Sequence, residues 1–141
     1  MTTTMLRGFA TLNYWADDVE AARAWYAEVL GIPPYFERRG PDGKVAYAEF
    51  RVGDSQDELG IIQRTWQPAA ATGGPGGAVM HWHVDDLEAT VARLLELGAK
   101  EYMPITERGS GFVTASVIDP FGNILGVMYN PHYVEVLASV S

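Results

Sequence analysis

The stretch "ADDVEAARAWYAEVLG" at residues 16–31 is answered by "VDDLEATVARLLELGA" at 84–99. Further along, "DELGII" at 57–62 is answered by "NILGVM" at 123–128. The first pair is offset by 68 residues, from Asp18 to Asp86, and the second by 66, from Leu59 to Leu125. One such match could be chance. Two in the same order, at nearly one spacing, indicate an internal duplication.

Each copy reads as a strand, a helix and then three strands. Val19, Ala22, Tyr26 and Leu30 recur with helical spacing, as do Leu87, Val91, Leu94 and Leu95. Asp17 with Glu20, and Asp85 with Glu88, have capping-box spacing at the two helix starts. Gly31 and Gly98 stand where a left-handed closing residue is needed. First strands are expected over 8–16 and 78–84. "GPDGK" at 40–44 and "RGSG" at 108–111 read as hairpin loops, and "DPFGN" at 119–123 as a tight turn before the last strand. The small-residue run "PAAATGGPGG" at 68–77 reads as part of a linker over about 65–77. One module then covers about 7–64 and the other about 78–130, with a tail at 131–141 that has no counterpart in the first copy.

The totals bound the function. A chain of 141 residues fits one domain with a real core. There is no cysteine, which removes disulfides, thiolate nucleophiles and thiolate metal sites. No apolar run approaches the length of a bilayer span, so no membrane partner is expected. The net charge of -8 argues against nucleic acid, which needs a basic surface. The start "MTTTMLRGFATLNY" lacks a charged segment followed by an apolar one, so no signal peptide is expected and the cytoplasm is the expected compartment.

Strand alternation sorts the side chains by face. In the first module Ala10, Leu12 and Tyr14 suit the helix side, while Thr11, Asn13 and Trp15 point away. Over 45–53, Ala46, Ala48, Phe50 and Val52 suit the helix, and Tyr47, Glu49 and Arg51 point away. In the second, Met80, Trp82 and Val84 make the core face and Val79, His81 and His83 the other. A polar sheet face must find partners in protein, water or ligand, which suits a wet pocket better than a sealed core.

With "DPFGNILGVM" added to the two helix stretches, the chain resembles the vicinal oxygen chelate superfamily, which includes glyoxalase I, extradiol dioxygenases and the fosfomycin and bleomycin resistance proteins. The resemblance spans roughly residues 7 to 130. It implies an α+β fold of tandem βαβββ modules, whose mixed sheets curl into an open barrel around a cavity. Metal-dependent members carry ligands seven residues before each helix-opening aspartate and in the glutamate slot of each last strand. Those four slots are Thr11, Val79, Gly60 and Gly126 here. Glycine and valine offer no donor atom and a lone threonine hydroxyl is a poor ligand, so the chain resembles the metal-free branch. No cofactor and no metal are expected at these positions. A relocated site on His81, His83 and Glu49 stays as a trailing alternative.

Two functions are open. The first is a metal-independent small-molecule binding protein that sequesters an aromatic or cationic compound. Its ligand would lie among Thr11, Asn13, Trp15, Tyr47, Gly60, Ile62, Val79, Gly126 and Met128. The two glycines are expected to leave room for a bulky ligand, and Trp15 and Trp66 to offer aromatic surface. The second is a metal-independent lyase or isomerase with His81 or His83, beside Glu49, as general acid and base. By analogy with the superfamily, the chain is expected to form a homodimer.

Overall fold

In a computed structural model the structure describes Met5 and residues 9–67 and 78–140. The described residues fall into two compact units, within 1–71 and 72–141. The expected linker residues 68–77 lie outside the described residues, while 64–66, in part assigned to that linker, form a single 3₁₀ turn.

The first unit runs β1 (Thr11–Ala16), α1 (Val19–Leu30), β2 (Phe36–Arg39), β3 (Val45–Val52) and β4 (Asp57–Gln63). The second repeats it as β5 (His81–His83), α2 (Leu87–Glu96), β6 (Lys100–Gly109), β7 (Phe112–Ile118) and β8 (Ile124–Tyr129), then adds α3 (Pro131–Val140). The sheets share one topology, β1-β4-β3-β2 and β5-β8-β7-β6. In each, the first strand runs parallel to the last and the remaining pairs are antiparallel. The architecture is the α+β, twice βαβββ arrangement that the duplication implied, with first strands shorter than expected.

Both helices start one residue later than the capping-box spacing suggested. The caps are Asp18 and Asp86, whose carboxylates accept from the backbone N–H of Ala21 and Ala89 at 3.0 Å each. Alanine therefore stands at the third helical position, and no glutamate reaches back to complete a box. Asp17 pairs instead with Arg64 at 2.9 Å, and Asp85 lies 3.3 Å from His83. The far ends are as expected. Gly31 closes α1 in the left-handed region at φ 72° and donates to Ala27 O at 2.9 Å. Past α2, Gly98 N–H reaches Leu95 O and Ala99 N–H reaches Leu94 O, both at 3.0 Å, a Schellman closure around a glycine at φ 106°.

The helices bury one stripe each. Val19, Ala22 and Tyr26 pack against β3 and β4, where Ala46, Ala48, Phe50, Val52, Leu59 and Ile61 complete the first core. Leu87, Val91 and Leu94 pack over β7 and β8 against Ala115, Val117, Leu125 and Val127. Leu95, expected in that stripe, is 41% exposed because it lies one helical step past Leu94. The "DPFGN" turn is held by the buried Asp119, whose carboxylate accepts from the N–H of Phe121 at 2.9 Å and of Asn123 at 2.8 Å. The tail is α3, capped by Asn130, whose side-chain oxygen accepts from His132 N–H at 2.9 Å and Tyr133 N–H at 3.1 Å.

Candidate functional site

The polar faces fall on the side of each sheet away from its helix. In the first unit the register places Asn13, Gly60 and Glu49 in one row across β1, β4 and β3. Trp15, Ile62 and Tyr47 form the next row, and Thr11, Glu58 and Arg51 the row before. Residues paired across neighbouring strands share a face. Alternation thus brings Thr11, Asn13, Trp15, Tyr47, Glu49, Gly60 and Ile62 together.

Glu49 is the centre of this face. Its two carboxylate oxygens accept from the hydroxyls of Tyr35 and Tyr47. The Arg51 guanidinium donates to the Tyr35 oxygen at 3.3 Å and lies 4.4 Å from the centre of the same ring. Glu58 is 3.4 Å from the Tyr35 hydroxyl and accepts from the Thr11 hydroxyl at 3.0 Å. The Tyr35 bond, then the Tyr47 bond, hold the Glu49 carboxyl below its ordinary value. Burial, reinforced by the bond to Glu49, pushes the Tyr47 hydroxyl up, and the bond to Glu49 raises that of Tyr35. Glu49 is therefore ionised near neutrality while both phenols keep their protons. The Phe36 ring lies 6.2 Å from that of Tyr47, adding apolar surface beside the carboxylates.

Tyr35 and Glu58 were not singled out in the sequence. Tyr35 precedes β2, and alternation back from Glu37 would put it on the helix side, where Glu37 pairs with Arg23 of α1 at 2.6 Å. After Pro33 and Pro34 the chain is not yet a strand, so the period fails there. The backbone bond from Tyr35 N–H to Glu49 O at 2.9 Å sets its approach.

In the second unit His81, Gly126 and Ser116 form the row equivalent to Asn13, Gly60 and Glu49, followed by His83, Met128 and Thr114. Val79 lies before β5 and is 38% exposed. The two histidines differ. His83 accepts at Nδ1 from the Asn130 N–H at 3.1 Å, so its own proton sits on Nε2, 3.3 Å from Asp85. Its ring stacks on Tyr133 of α3 at 4.7 Å and 14°. Both nitrogens are engaged, and the residue anchors the tail to β5. His81 is exposed and has no hydrogen-bond partner among the described residues.

The glycines do not leave empty space. A Cβ on Gly60 would run into the Asn13 side-chain oxygen and come within 3.1 Å of the Tyr47 ring and hydroxyl. One on Gly126 would lie 2.7 Å from Met80 O and 2.9 Å from the His81 ring. The room expected for a ligand at these two points is filled by the chain's own atoms.

The four slots do not fit a divalent metal. Gly60, Gly126 and Val79 supply no donor, and the Thr11 hydroxyl is spent on Glu58. Among the described residues no group of three or more His, Asp or Glu side chains is placed to hold an ion. A cavity of about 330 Å³ opens elsewhere, at the start of α1 beside Asp17, Glu20, Asp42, Lys44 and Gln63, and contains none of the expected site residues.

The model for the Glyoxalase/Bleomycin resistance protein/Dioxygenase superfamily matches residues 8–127. No curated protein matches the chain in sequence. Among solved structures, a superfamily member from Sphaerobacter thermophilus superposes with a TM-score of 0.70 at 19% identity, covering 90% of this chain and 100% of its own. A glyoxalase-related enzyme from Fulvimarina pelagi gives 0.67 at 22%, covering 89% and 90%. A glyoxalase/bleomycin resistance protein from Catenulispora acidiphila gives 0.58 at 23%, covering 86% and 96%. At these identities the likeness is one of fold. Among the described residues no helix is long and apolar enough to cross a membrane.

Proposed function

The chain belongs to the glyoxalase/bleomycin resistance protein/dioxygenase superfamily, and from that premise we propose that it is a small-molecule binding protein that works without a metal ion and favours an aromatic cation. The network around Glu49 carries this reading. Within the hydrogen-bonded group two carboxylates, Glu49 and Glu58, meet one guanidinium, that of Arg51, an excess of one formal negative charge, while Arg38 stands outside those bonds one row away, opposite Tyr47. The rings of Tyr35, Phe36 and Tyr47 lie beside that charge, and 49% of Tyr35 and 43% of Phe36 are exposed. An aromatic cation would stack on these rings and place its charge toward the carboxylates.

The test is a titration of the purified protein, followed by tryptophan and tyrosine fluorescence, with planar aromatic amines and their uncharged isosteres. Saturable binding of the cations is expected, with the ligand recovered unchanged and affinity reduced at least tenfold in Glu49→Gln. Equal binding of charged and uncharged isosteres refutes the preference, and near-stoichiometric metal in the purified protein refutes metal independence.

A second reading, a metal-independent lyase or isomerase, is favoured by one observation. His81 is exposed and without a hydrogen-bond partner among the described residues, whereas His83 and Glu49 are held by other groups. Turnover abolished in His81→Ala and retained in His83→Phe would support it. Turnover that persists in His81→Ala would remove it. A homodimer is part of the proposal, supported by the exposed apolar side chains Tyr133, Val136 and Leu137 on α3 and Tyr102, Met103 and Ile105 on β6, and is tested by sedimentation velocity.

A further inference from the structure

The two units share a device. In each, the middle of the sheet has a glycine on the last strand, Gly60 or Gly126, paired with a polar residue of the first strand, Asn13 or His81. At Gly60 the space over the glycine holds that polar side chain, and at Gly126 it holds the His81 ring together with the Met80 backbone oxygen. Neither glycine has a positive φ, so no left-handed conformation selects it. In a strand interior glycine is less favourable than alanine unless the missing Cβ is needed for a close approach. The close approach is present in both copies.

We infer that Gly60 and Gly126 are positioning residues, which let the Asn13 amide and the His81 imidazole lie across the sheet instead of standing off it. The space over each glycine is thus taken up by the polar side chain of the neighbouring strand, beside the Met80 backbone oxygen at Gly126. At Gly60 a second group depends on the same space, because the Tyr47 hydroxyl that donates to Glu49 sits 3.1 Å from where a Cβ would be. The inference deepens the proposed site, resting on the reading of these faces as ligand-facing. Its test uses no ligand, so failure of one is distinguishable from failure of the other.

Gly60→Ala is the cleaner variant, because its three nearest neighbours are all side-chain atoms, whereas Gly126→Ala also meets the Met80 backbone oxygen. Gly60→Ala is expected to raise the unfolding equilibrium constant roughly tenfold, the scale of a modest overpacking. It should also shift the side-chain amide resonances of Asn13 and move the Tyr47 ionisation toward its ordinary position. Adding Asn13→Ala should recover most of the lost stability, while adding Thr11→Ala should recover none. If Gly60→Ala does not fold alone, the Asn13→Ala double variant should fold. In Gly126→Ala the ring resonances of His81 should move. The inference is overturned if Asn13→Ala rescues no better than Thr11→Ala, or if the Asn13 and His81 resonances stay in place.

Discussion

Tyr47→Phe isolates the bond at the centre of the first sheet while keeping the ring that packs over Gly60. The hydroxyl removed donates to an ionised Glu49. A bond to a charged partner contributes about 1.5–3 kcal/mol and one between neutral groups about 0.5–1.5. Both residues are only half-buried, so the lower ends apply, and the variant should lose about 1.5 kcal/mol at neutral pH. The pH dependence is the sharper signature. Glu49 has its carboxyl held below the ordinary 4.5, so the stability it supplies is fully present above that pH and fades as pH falls through the depressed value. Tyr47 has its hydroxyl raised above the ordinary 10.0, so its contribution is full below that pH and fades as pH rises through the raised value. The gap between wild type and variant should therefore be flat across the neutral range and narrow at both ends, to about 0.5 kcal/mol in acid, where only a neutral bond is left. Urea unfolding followed by circular dichroism at several pH values measures it. A gap of the same size from acid to alkali would mean that Tyr47 acts by packing alone, and would refute the assignment of an ionised Glu49 as its acceptor.

Three further outcomes follow from the geometry. Phe50→Ala empties a fully buried site under α1 and should cost about 3–5 kcal/mol in chemical denaturation. Asp119→Ala leaves the N–H groups of Phe121 and Asn123 without their acceptor and should cost about 1–3 kcal/mol, with the loss read in the same assay. His83→Ala removes the acceptor for Asn130 N–H and the stack under Tyr133, so amide exchange over residues 130–140 should accelerate at least tenfold while that of β7 and β8 is unchanged. Uniform acceleration across the second unit would show His83 to be a core residue rather than an anchor for the tail.

The duplication, both helices, the hairpin turns and the core face of each sheet were legible in the amino-acid order, because they rest on local periods and on glycine or aspartate chemistry within a few residues. Errors of one residue, such as Asp17 for Asp18 at the cap, arise where adjacent aspartates offer the same side chain and only distant partners, Arg64 here, separate them. Strand alternation also brought Tyr47 and Glu49 to one face with Asn13 and Gly60, since alternation is a property of the strand itself.

Tertiary structure decided what those faces do. Tyr35 joins Glu49 from outside any strand, where no period could place it, and Glu58, on the face of Gly60 by alternation, finds Thr11 and Tyr35 only through the pairing of β4 with β1 and β3. His81 and His83 are alike in sequence, two positions apart on one strand, yet Asn130 and Tyr133 approach one of them and not the other. The glycines read as openings became seats for Asn13 and His81, because a missing Cβ is a local fact while its occupant comes from a neighbouring strand 47 residues away in the first unit. Periodicity says which way a side chain points. What meets it there depends on contacts between residues distant in the chain, and those exist only once the sheet has formed.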